Sequence, residues 1–427
     1  MSIFERFESN VRSYCRAFPT TFESANDEFL FSEDGRRYID FFCGAGALNY
    51  GHNNKHIKSA VIEYLSRDGV LHALDMHTTA KREFIDAFVQ RCLKPKGLDY
   101  KLQFCGPTGT NAVEAALKIA RKVTGRSGIF SFTGGFHGMS LGALAATSNR
   151  TSRGGAGAAL PLVSFMPYPE GFRAPIDSMA YIEAVLEDSH SGVEKPAAII
   201  VETVQAEGGV NVAPVDWLRQ LAQLCRQHGI LLICDEIQVG CFRTGPFFSF
   251  ERAGIVPDIV VLAKSISGIG FPMSFVLLRP ELDVWRPGEH TGTFRGNQIA
   301  FVAGRAALEF AQATDLAGEV KKRESVIKEF LTSEIAPIND KIRIRGIGMI
   351  WGVDLSALAP TDLANRVSAD CFARGLIIET VGRGDTVLKL LPPLTIDMNR
   401  LLEGCSILRE SIAHFARGEV ARQACSE

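Results

Sequence analysis

Three short apolar runs in the middle of the chain predict buried β-strands. They are AAIIVETV at residues 197–204, ILLICDEI at residues 230–237 and IVVLA at residues 259–263. Their nearly continuous apolar character is typical of strands in a sheet that is covered on both faces. We therefore expect a buried, mostly parallel sheet in this region.

Helical patterns accompany these strands. In residues 111–124 and 215–228 the apolar positions fall on one face of a helix, and each segment is followed by a glycine, Gly125 or Gly229. Glycine just past the last periodic residue is a common helix stop signal. Strands that alternate with helices predict an α/β fold.

The two ends of the chain follow a different pattern. The last hundred residues contain helical and strand-like segments in turn, at 316–335, 342–353, 361–374 and 387–391. Near the start, residues 28–42 predict a β-hairpin that turns at Asp34-Gly35. This hairpin has no obvious place in a parallel sheet, so we expect it to join an α+β domain formed by the C-terminal part.

With 427 residues, the chain is long enough for two or three domains. We expect residues 1–55 to join the small domain, residues 56–315 to form the large domain, and residues 316–427 to form most of the small α+β domain.

Composition and charge narrow the classes of partner. A formal net charge of −2 argues against nucleic acid and against an anionic membrane surface. The first residues, MSIFERFESN, are charged where a signal peptide needs an apolar stretch, and no apolar run approaches the ~18 residues of a membrane span. The ten cysteines include no C-x-x-C pair, so we expect reduced thiols. A cytoplasmic protein is the expectation.

Two glycine-rich segments suggest contacts with a phosphorylated ring. Gly109 and Thr110 open the predicted helix at residues 111–124, where exposed backbone N–H groups suit a phosphate. Phe136 and His137 lie in the glycine-rich GGFHG, where an aromatic side chain can stack on a flat ring. A plain helix cap and a core phenylalanine are the alternatives for the two segments.

Two polar residues end neighbouring buried strands. Asp235 lies where ligands bind in α/β sheets, and a carboxylate there can pair with a protonated ring nitrogen. Lys264 ends the next strand, and burial of its amine would suit Schiff-base formation, with an exposed strand-end lysine as the alternative. With the phosphate and ring contacts, these residues predict a site for pyridoxal 5'-phosphate.

At these positions and others, the chain resembles the class III aminotransferases of fold type I. The segments DGRRYIDF at 34–41, VETVQAEGG at 201–209 and HTGTFRGN at 290–297 are similar to segments of that family. The resemblance implies a pyridoxal-phosphate enzyme, with a mostly parallel seven-stranded sheet in the large domain and a small α+β domain from both termini.

The resemblance also implies roles for individual residues. Asp235 and Lys264 are the expected catalytic residues. The expected cofactor-binding residues are Gly109, Thr110, Phe136, His137, Asp235, Gln238, Lys264 and Thr293. By the resemblance, Phe136 stacks on the ring, Asp235 binds the ring nitrogen and Gln238 approaches the ring hydroxyl. Thr293 reaches the phosphate of a neighbouring subunit, so a homodimer or higher homo-oligomer with shared active sites is implied.

Segments 11–19, 42–54 and 290–298 resemble a branch of the family that acts on aspartate 4-semialdehyde. That branch transfers the amino group of glutamate to the semialdehyde, giving 2,4-diaminobutyrate and 2-oxoglutarate, in ectoine biosynthesis or in siderophore pathways. The alternatives are another acceptor, such as those related to ornithine or 4-aminobutyrate, an aminomutase, and a non-catalytic relative.

The substrate end of the site departs from the family. Glu207 matches a carboxylate that, in some members, pairs with an arginine at the entrance to the substrate site. Lys389 stands at the position of that arginine, and Arg295 stands where relatives often have glycine. Our hypothesis is that Arg295 and Lys389 share recognition of the substrate carboxylates, with Glu207 masking Lys389 when the four-carbon substrate is bound. Alternatively, Lys389 reaches solvent and Arg295 binds the neighbouring subunit.

Overall fold

The structure is a computed structural model that describes residues 2–171 and 176–424, with side chains to residue 416. Its α-helices are α1 (Ile3–Phe7), α2 (Tyr14–Ala17), α3 (Cys43–Gly46), α4 (Lys55–Ser66), α5 (Thr79–Phe88), α6 (Gly109–Thr124), α7 (Leu141–Ala146), α8 (Arg150–Gly154), α9 (Ser178–Glu187), α10 (Val215–His228), α11 (Gln298–Ala313), α12 (Leu316–Phe330), α13 (Leu363–Ala373) and α14 (Met398–Ala424). Its strands are β1 (Phe22–Asn26), β2 (Phe29–Ser32), β3 (Arg37–Asp40), β4 (Lys101–Phe104), β5 (Ile129–Phe132), β6 (Val163–Met166), β7 (Ala198–Val201), β8 (Val204–Gln205), β9 (Asn211–Val212), β10 (Leu231–Asp235), β11 (Ile259–Leu262), β12 (Phe275–Leu278), β13 (Arg343–Ile347), β14 (Ile350–Asp354), β15 (Leu376–Ile377), β16 (Glu379–Val381) and β17 (Val387–Leu390).

A seven-stranded sheet forms the centre of the molecule. Its strand order is β4-β12-β11-β10-β7-β5-β6, and only β12 runs antiparallel to its neighbours. The mostly parallel sheet predicted from the apolar runs is therefore confirmed. Strands β10 and β11 are adjacent and parallel, with Asp235 opposite Val261. Asp235 and Lys264 therefore lie at the same edge of the sheet, where the parallel strands end.

One of two smaller four-stranded sheets combines residues from both ends of the chain, and the other is formed by C-terminal strands. The predicted hairpin is formed by β2 and β3, and its turn contains Gly35 at a φ of 81°. Strand β15 pairs in parallel with β3, with Leu376 opposite Ile39, so a C-terminal strand completes the N-terminal sheet. The second small sheet has the order β13-β14-β17-β16.

The predicted helix ends are also observed. Helix α10 spans Val215–His228 and stops at Gly229, which has a left-handed φ of 58°. Helix α6 begins at Gly109, slightly before the predicted start at residue 111. The earlier start is stabilised by Asn111, whose Oδ1 accepts hydrogen bonds from the amide and the hydroxyl of Thr108.

The central strands are covered on both faces. Ile199, Leu232 and Val260 belong to the large hydrophobic core that includes the apolar face of α10. Their neighbours Ile200, Ile233 and Val261 pack in a second core with α6. This alternation explains why the strands read as continuous apolar runs.

Nine cysteines, among the residues that the structure describes, are free thiols; Cys425 lies outside them. Within the described ranges no helix is both long and apolar enough to cross a membrane.

Candidate active site

A cavity of about 340 Å³ lies at the carboxyl ends of β10 and β11. This volume falls within the range of about 300–1,000 Å³ that is typical of ligand pockets. Eight of the residues singled out in the sequence line it: Gly109, Thr110, Phe136, His137, Glu207, Asp235, Gln238 and Lys264. The fold therefore brings together residues that are far apart in the chain.

Lys264 follows β11 directly and is held in an unusual backbone conformation. Its φ is 54°, in the left-handed region that a side chain with a Cβ rarely adopts. The Nζ atom donates a hydrogen bond to the carbonyl oxygen of Ala45 at 2.8 Å. Burial lowers the pKa of the Lys264 amine, although the charge of Glu207 opposes this shift. Because of the lowered pKa, more of the Lys264 amine is neutral and nucleophilic than in an ordinary surface lysine.

Asp235 is paired with His137 at the end of β10. Oδ2 of Asp235 lies 2.7 Å from Nδ1 of His137, and Oδ1 accepts the backbone N–H of Ile237 at 3.0 Å. Burial acts to lower the pKa of His137, but hydrogen bonding and the charges of Asp235 and Glu202 outweigh it and raise the pKa overall. The two contacts fix the orientation of the Asp235 carboxyl, the group that can pair with a protonated ring nitrogen.

Gly109 and Thr110, the first two residues of α6, line the cavity. Amides in the first turn of a helix have no carbonyl partner within the helix, and they lie at its positive end. The Thr110 hydroxyl shares a hydrogen bond of 2.6 Å with that of Ser140. Gly138 has a φ of 135°, and a Cβ there would overlap Oγ1 of Thr110, so only glycine lets the two segments approach this closely.

Phe136 is half-buried and lines the cavity beside His137. Its backbone N–H donates to Oε2 of Glu202 at 3.0 Å, which fixes the loop against the sheet. Burial raises the pKa of Glu202 to about 8. Phe136 is thus a wall residue of the cavity, and the alternative of a core phenylalanine is wrong.

Lys389 is completely buried, at 0% exposure, at the end of the cavity that contains Glu207. Its Nζ atom lies 2.6 Å from Oε1 of Glu207, 2.9 Å from Oε1 of Glu379 and 2.9 Å from Oε1 of Gln238. Burial acts to lower the pKa of Lys389, but the two carboxylates raise it overall. Burial also acts to raise the pKa of Glu207, whereas Lys389 and Lys264 bring it down to about 2. The alternative in which Lys389 reaches solvent is wrong.

Thr293 and Arg295 lie on a separate surface loop. Thr293 is exposed, and its carbonyl oxygen lies 3.0 Å from Nε2 of His72. Arg295 forms an ion pair with Asp75 and donates to the carbonyl of His290 at 3.0 Å. Arg295 lines a different pocket from Lys264, so the expectation that it shares carboxylate recognition with Lys389 is not met within one chain. Within one chain, the ion pair with Asp75 holds the Arg295 guanidinium away from the cavity that Lys264 lines.

The sequence model of the class III aminotransferases matches residues 12–412. This chain belongs to that family. The predicted fold and the predicted enzyme class are therefore confirmed. Members of the family depend on pyridoxal 5'-phosphate, so the predicted cofactor is confirmed as well.

Individual relatives are similar over nearly the whole length. The diaminobutyrate–2-oxoglutarate transaminase of Bordetella parapertussis is 54% identical, over 97% of this chain and 95% of that protein. The transaminase of the same name from Streptomyces coelicolor is 52% identical, over 97% of this chain and 98% of that protein. Among solved structures, an ornithine aminotransferase from Toxoplasma gondii has a TM-score of 0.83 and 25% identity, covering 96% of this chain and 92% of that one.

Two acidic residues of the site were not found from the sequence. Glu202 ends the IIVE run at residues 199–202, and Glu379 lies in the IIETV run at residues 377–381. A carboxylate within an apolar run needs a partner, and that signal was available. The identity of each partner depends on chain segments that are distant in sequence.

Proposed function

We propose that this family member is a diaminobutyrate–2-oxoglutarate transaminase, which converts L-aspartate 4-semialdehyde and L-glutamate into L-2,4-diaminobutyrate and 2-oxoglutarate. The observation that carries the proposal is the identity of 51–54% to enzymes of that name along 97–99% of the chain. The cavity supports it with a buried amine, a carboxylate partner for a ring nitrogen and a helix terminus for a phosphate. The proposal includes a cytoplasmic location and a place in ectoine biosynthesis.

The residues of the cavity fit the cofactor of the family. The Gly109 and Thr110 amides would hold the phosphate, Phe136 would face the ring, and Asp235 would keep its nitrogen protonated. Gln238 would approach the ring hydroxyl from the side of Lys389. Bound there, pyridoxal 5'-phosphate supplies an aldehyde that accepts the amino group and a ring that withdraws electrons from the reacting carbon.

Lys264 is proposed to have two roles. Its amine would hold the cofactor through the cofactor's aldehyde, and the lowered pKa favours the neutral amine that such attachment needs. With substrate bound, the free amine would accept the proton from the reacting carbon of the substrate and donate it to the cofactor carbon. The left-handed backbone and the bond to Ala45 hold the amine in one orientation.

We further propose that the active enzyme is a homodimer or higher homo-oligomer in which Thr293 reaches the phosphate in the neighbouring subunit's site. The Thr293 loop is exposed and lies beside an apolar surface. Leu71, Leu74, Met76 and Phe294 are between 48% and 68% exposed there. Exposed apolar side chains of this kind favour association with a second copy.

The decisive experiment is an assay of the purified, cofactor-loaded protein with glutamate and aspartate semialdehyde. Formation of 2,4-diaminobutyrate together with an equal amount of 2-oxoglutarate is expected. Ornithine and 4-aminobutyrate should be much poorer amino donors to 2-oxoglutarate than diaminobutyrate. Faster turnover of either would replace the proposed substrate, and isomerisation without a co-substrate would indicate an aminomutase. Loss of ectoine, with siderophore output unchanged, in a producing strain that lacks the gene tests the pathway.

A further inference from the structure

Glu379 is the least satisfied member of the cluster around Lys389. It lies on β16 directly opposite Lys389 on β17, and it is 7% exposed. Its Oε1 atom is 2.9 Å from Nζ of Lys389, yet within the described part of the chain it forms no hydrogen bond. The contact is an ion pair in which the buried Oε1 atom depends on the Lys389 ammonium alone, among the residues that the structure describes.

The cluster has more negative than positive groups. Glu207 and Glu379 both contact the single ammonium of Lys389, and Glu207 also accepts from Gln238 at 3.1 Å. An uncompensated buried charge is unfavourable, so one of the carboxyls tends to take up a proton. Burial raises the pKa of Glu379 to about 7, although Lys389 opposes the shift. The pKa of Glu207 is instead lowered to about 2, because Lys389 and Lys264 outweigh the effect of burial. Within this cluster, Glu379 is therefore the carboxyl whose charge changes near neutral pH.

The other charged groups around Glu379 do not prevent its charge from changing near neutral pH. Lys264 after β11 and Glu207 after β8 influence Glu379 from the cavity side. Tyr14 on α2 faces the same cluster, and its pKa is raised to about 12, first by burial and then by Glu379 and Glu207. Tyr14 is thus uncharged throughout the physiological range, and the charge of the cluster depends on Glu379.

The molecules that the proposed reaction must accommodate include some of opposite net charge. Glutamate and 2-oxoglutarate each have two carboxylates, whereas diaminobutyrate has two ammonium groups and one carboxylate. Both kinds must enter the same cavity beside Lys264. With Glu379 ionised, the cluster has one net negative charge and suits the diamino acid. With Glu379 protonated, the cluster is neutral and Lys389 is freer to hold a carboxylate.

We propose that Glu379 is the specificity-determining residue that adapts this cavity to both substrates, by taking up one proton from solvent when a dicarboxylate binds and releasing it when diaminobutyrate binds. The inference rests on the proposed function for the identity of the two substrates. The geometry behind it is the cross-strand pair with Lys389 and the adjoining Glu207, which lines the cavity.

Proton uptake can be measured without turnover. The probe is glutarate, which has the two carboxylates of 2-oxoglutarate but no reacting group, added to the enzyme in its pyridoxamine phosphate form. Calorimetric titration in buffers of different ionisation enthalpy gives the number of protons exchanged. At pH 7 we expect wild type to take up about half a proton per site with glutarate and to release a similar amount with diaminobutyrate. Glu379→Gln should exchange almost none with either ligand.

Two variants separate Glu379 from other buried carboxyls. Glu28→Gln neutralises a buried carboxyl whose pKa is also raised by burial but which lies away from the cavity, in the turn between β1 and β2; it should behave as wild type. Glu379→Asp retains a titrating carboxyl and should restore part of the proton exchange. If Glu379→Gln exchanges as many protons as wild type, the proposal is wrong, and Glu202, which lines the same cavity, becomes the group that titrates.

Kinetics provide the second readout. As the pH rises from 6 to 8.5, the kcat/KM of wild type for glutamate should fall relative to that of Glu379→Gln. Above the pKa of Glu379, the relative fall should be up to about tenfold per pH unit. The variant should also be about tenfold worse with diaminobutyrate. Equal pH profiles for the two proteins overturn the proposal. If wild type does not act on diaminobutyrate at all, the proposed function fails, while the glutarate titration still decides whether Glu379 takes up the proton.

Discussion

Nδ1 of His137 lies 2.7 Å from Oδ2 of Asp235, and the two side chains are 1% and 5% exposed. This pair links the glycine-rich loop after β5 to the end of β10. Burial acts to lower the pKa of His137, but the hydrogen bond to Asp235 and the charges of Asp235 and Glu202 raise it overall. The carboxyl of Asp235 is oriented by this contact and by the N–H that Ile237 donates. The pair thus sets the direction of the Asp235 carboxyl.

Asp235→Asn should slow proton removal from glutamate by about a hundredfold or more while the cofactor still binds, since a neutral amide cannot hold a ring-nitrogen proton. Single-turnover kinetics with glutamate measure the effect. His137→Asn should have a smaller effect of the same kind, because it leaves the carboxylate but removes its partner. A wild-type rate for Asp235→Asn would contradict the role assigned to it.

Lys264→Ala should abolish multiple turnover and the absorbance of the covalently bound cofactor, because covalent attachment and proton transfer are lost together. The fold should survive, since Nζ donates its hydrogen bond to the carbonyl of Ala45 and to no other described residue.

Lys264→Gly should be more stable than Lys264→Ala by about 1 kcal/mol, because glycine relieves the strain of a φ of 54°. Thermal unfolding checks the stability, and Lys321→Ala on the exposed face of α12 is the matched lysine control. Sustained turnover by Lys264→Ala would exclude the assignment.

The main parts of the site could be predicted because their signals are local. Asp235 and Lys264 each end an apolar run, and adjacent parallel strands carry such residues to one edge of the sheet. The helix start at Gly109 is likewise visible in a few consecutive residues.

The remaining relationships depend on contacts between distant segments. The pairing of Glu379 with Lys389 requires the register of β16 and β17, and β16 has only three residues, too few for a periodic pattern. Arg295 was expected beside Lys389, but its loop is held by Asp75, whose position no local pattern specifies. Tertiary contacts of this kind are what a reading of sequence periodicity lacks.

Subunit sharing predicts complementation between two inactive proteins. Thr293→Tyr should block the phosphate region of the neighbouring site, and Lys264→Ala should inactivate its own. After subunit exchange, a mixed dimer has one site with both lesions and one site with neither, so up to about a quarter of wild-type activity per dimer pool should return. The control is each variant alone, which must be inactive. Exchange demonstrated by labelled subunits without any recovery would count against a shared site.

Gly138→Ala should weaken cofactor binding. The new Cβ would overlap Oγ1 of Thr110 at a φ of 135°, and the strain amounts to about 1–3 kcal/mol. Either the loop moves or Thr110 does, and both disturb the helix start that faces the phosphate. Gly254→Ala, which also has a positive φ but meets no atom within 4 Å, controls for backbone strain alone. Unchanged cofactor affinity in Gly138→Ala, measured by equilibrium dialysis, would show that this close approach is not needed.

Lys389 and Arg295 should differ sharply in their effect on glutamate. Lys389→Met removes the ammonium that Glu207 and Glu379 share, so kcat/KM for glutamate should fall by about ten- to a hundredfold. Arg295→Gln should change it by less than about threefold, because the guanidinium pairs with Asp75, outside the cavity of its own chain.

Stability distinguishes loss of recognition from loss of fold in the Lys389 variant. Lys389→Met leaves the carboxylates of the buried Glu379 and the half-buried Glu207 without their ammonium partner, and it should lower the free energy of unfolding by about 3–5 kcal/mol. The double variant Lys389→Met/Glu379→Gln removes one of those charges and should recover part of the stability, but not the turnover of glutamate, because no cation remains for the carboxylate. Denaturant unfolding and steady-state kinetics on the same preparations test both statements. Recovery of glutamate turnover along with stability would mean that Lys389 only supports the fold, and a large loss in Arg295→Gln would bring the surface loop back into carboxylate recognition.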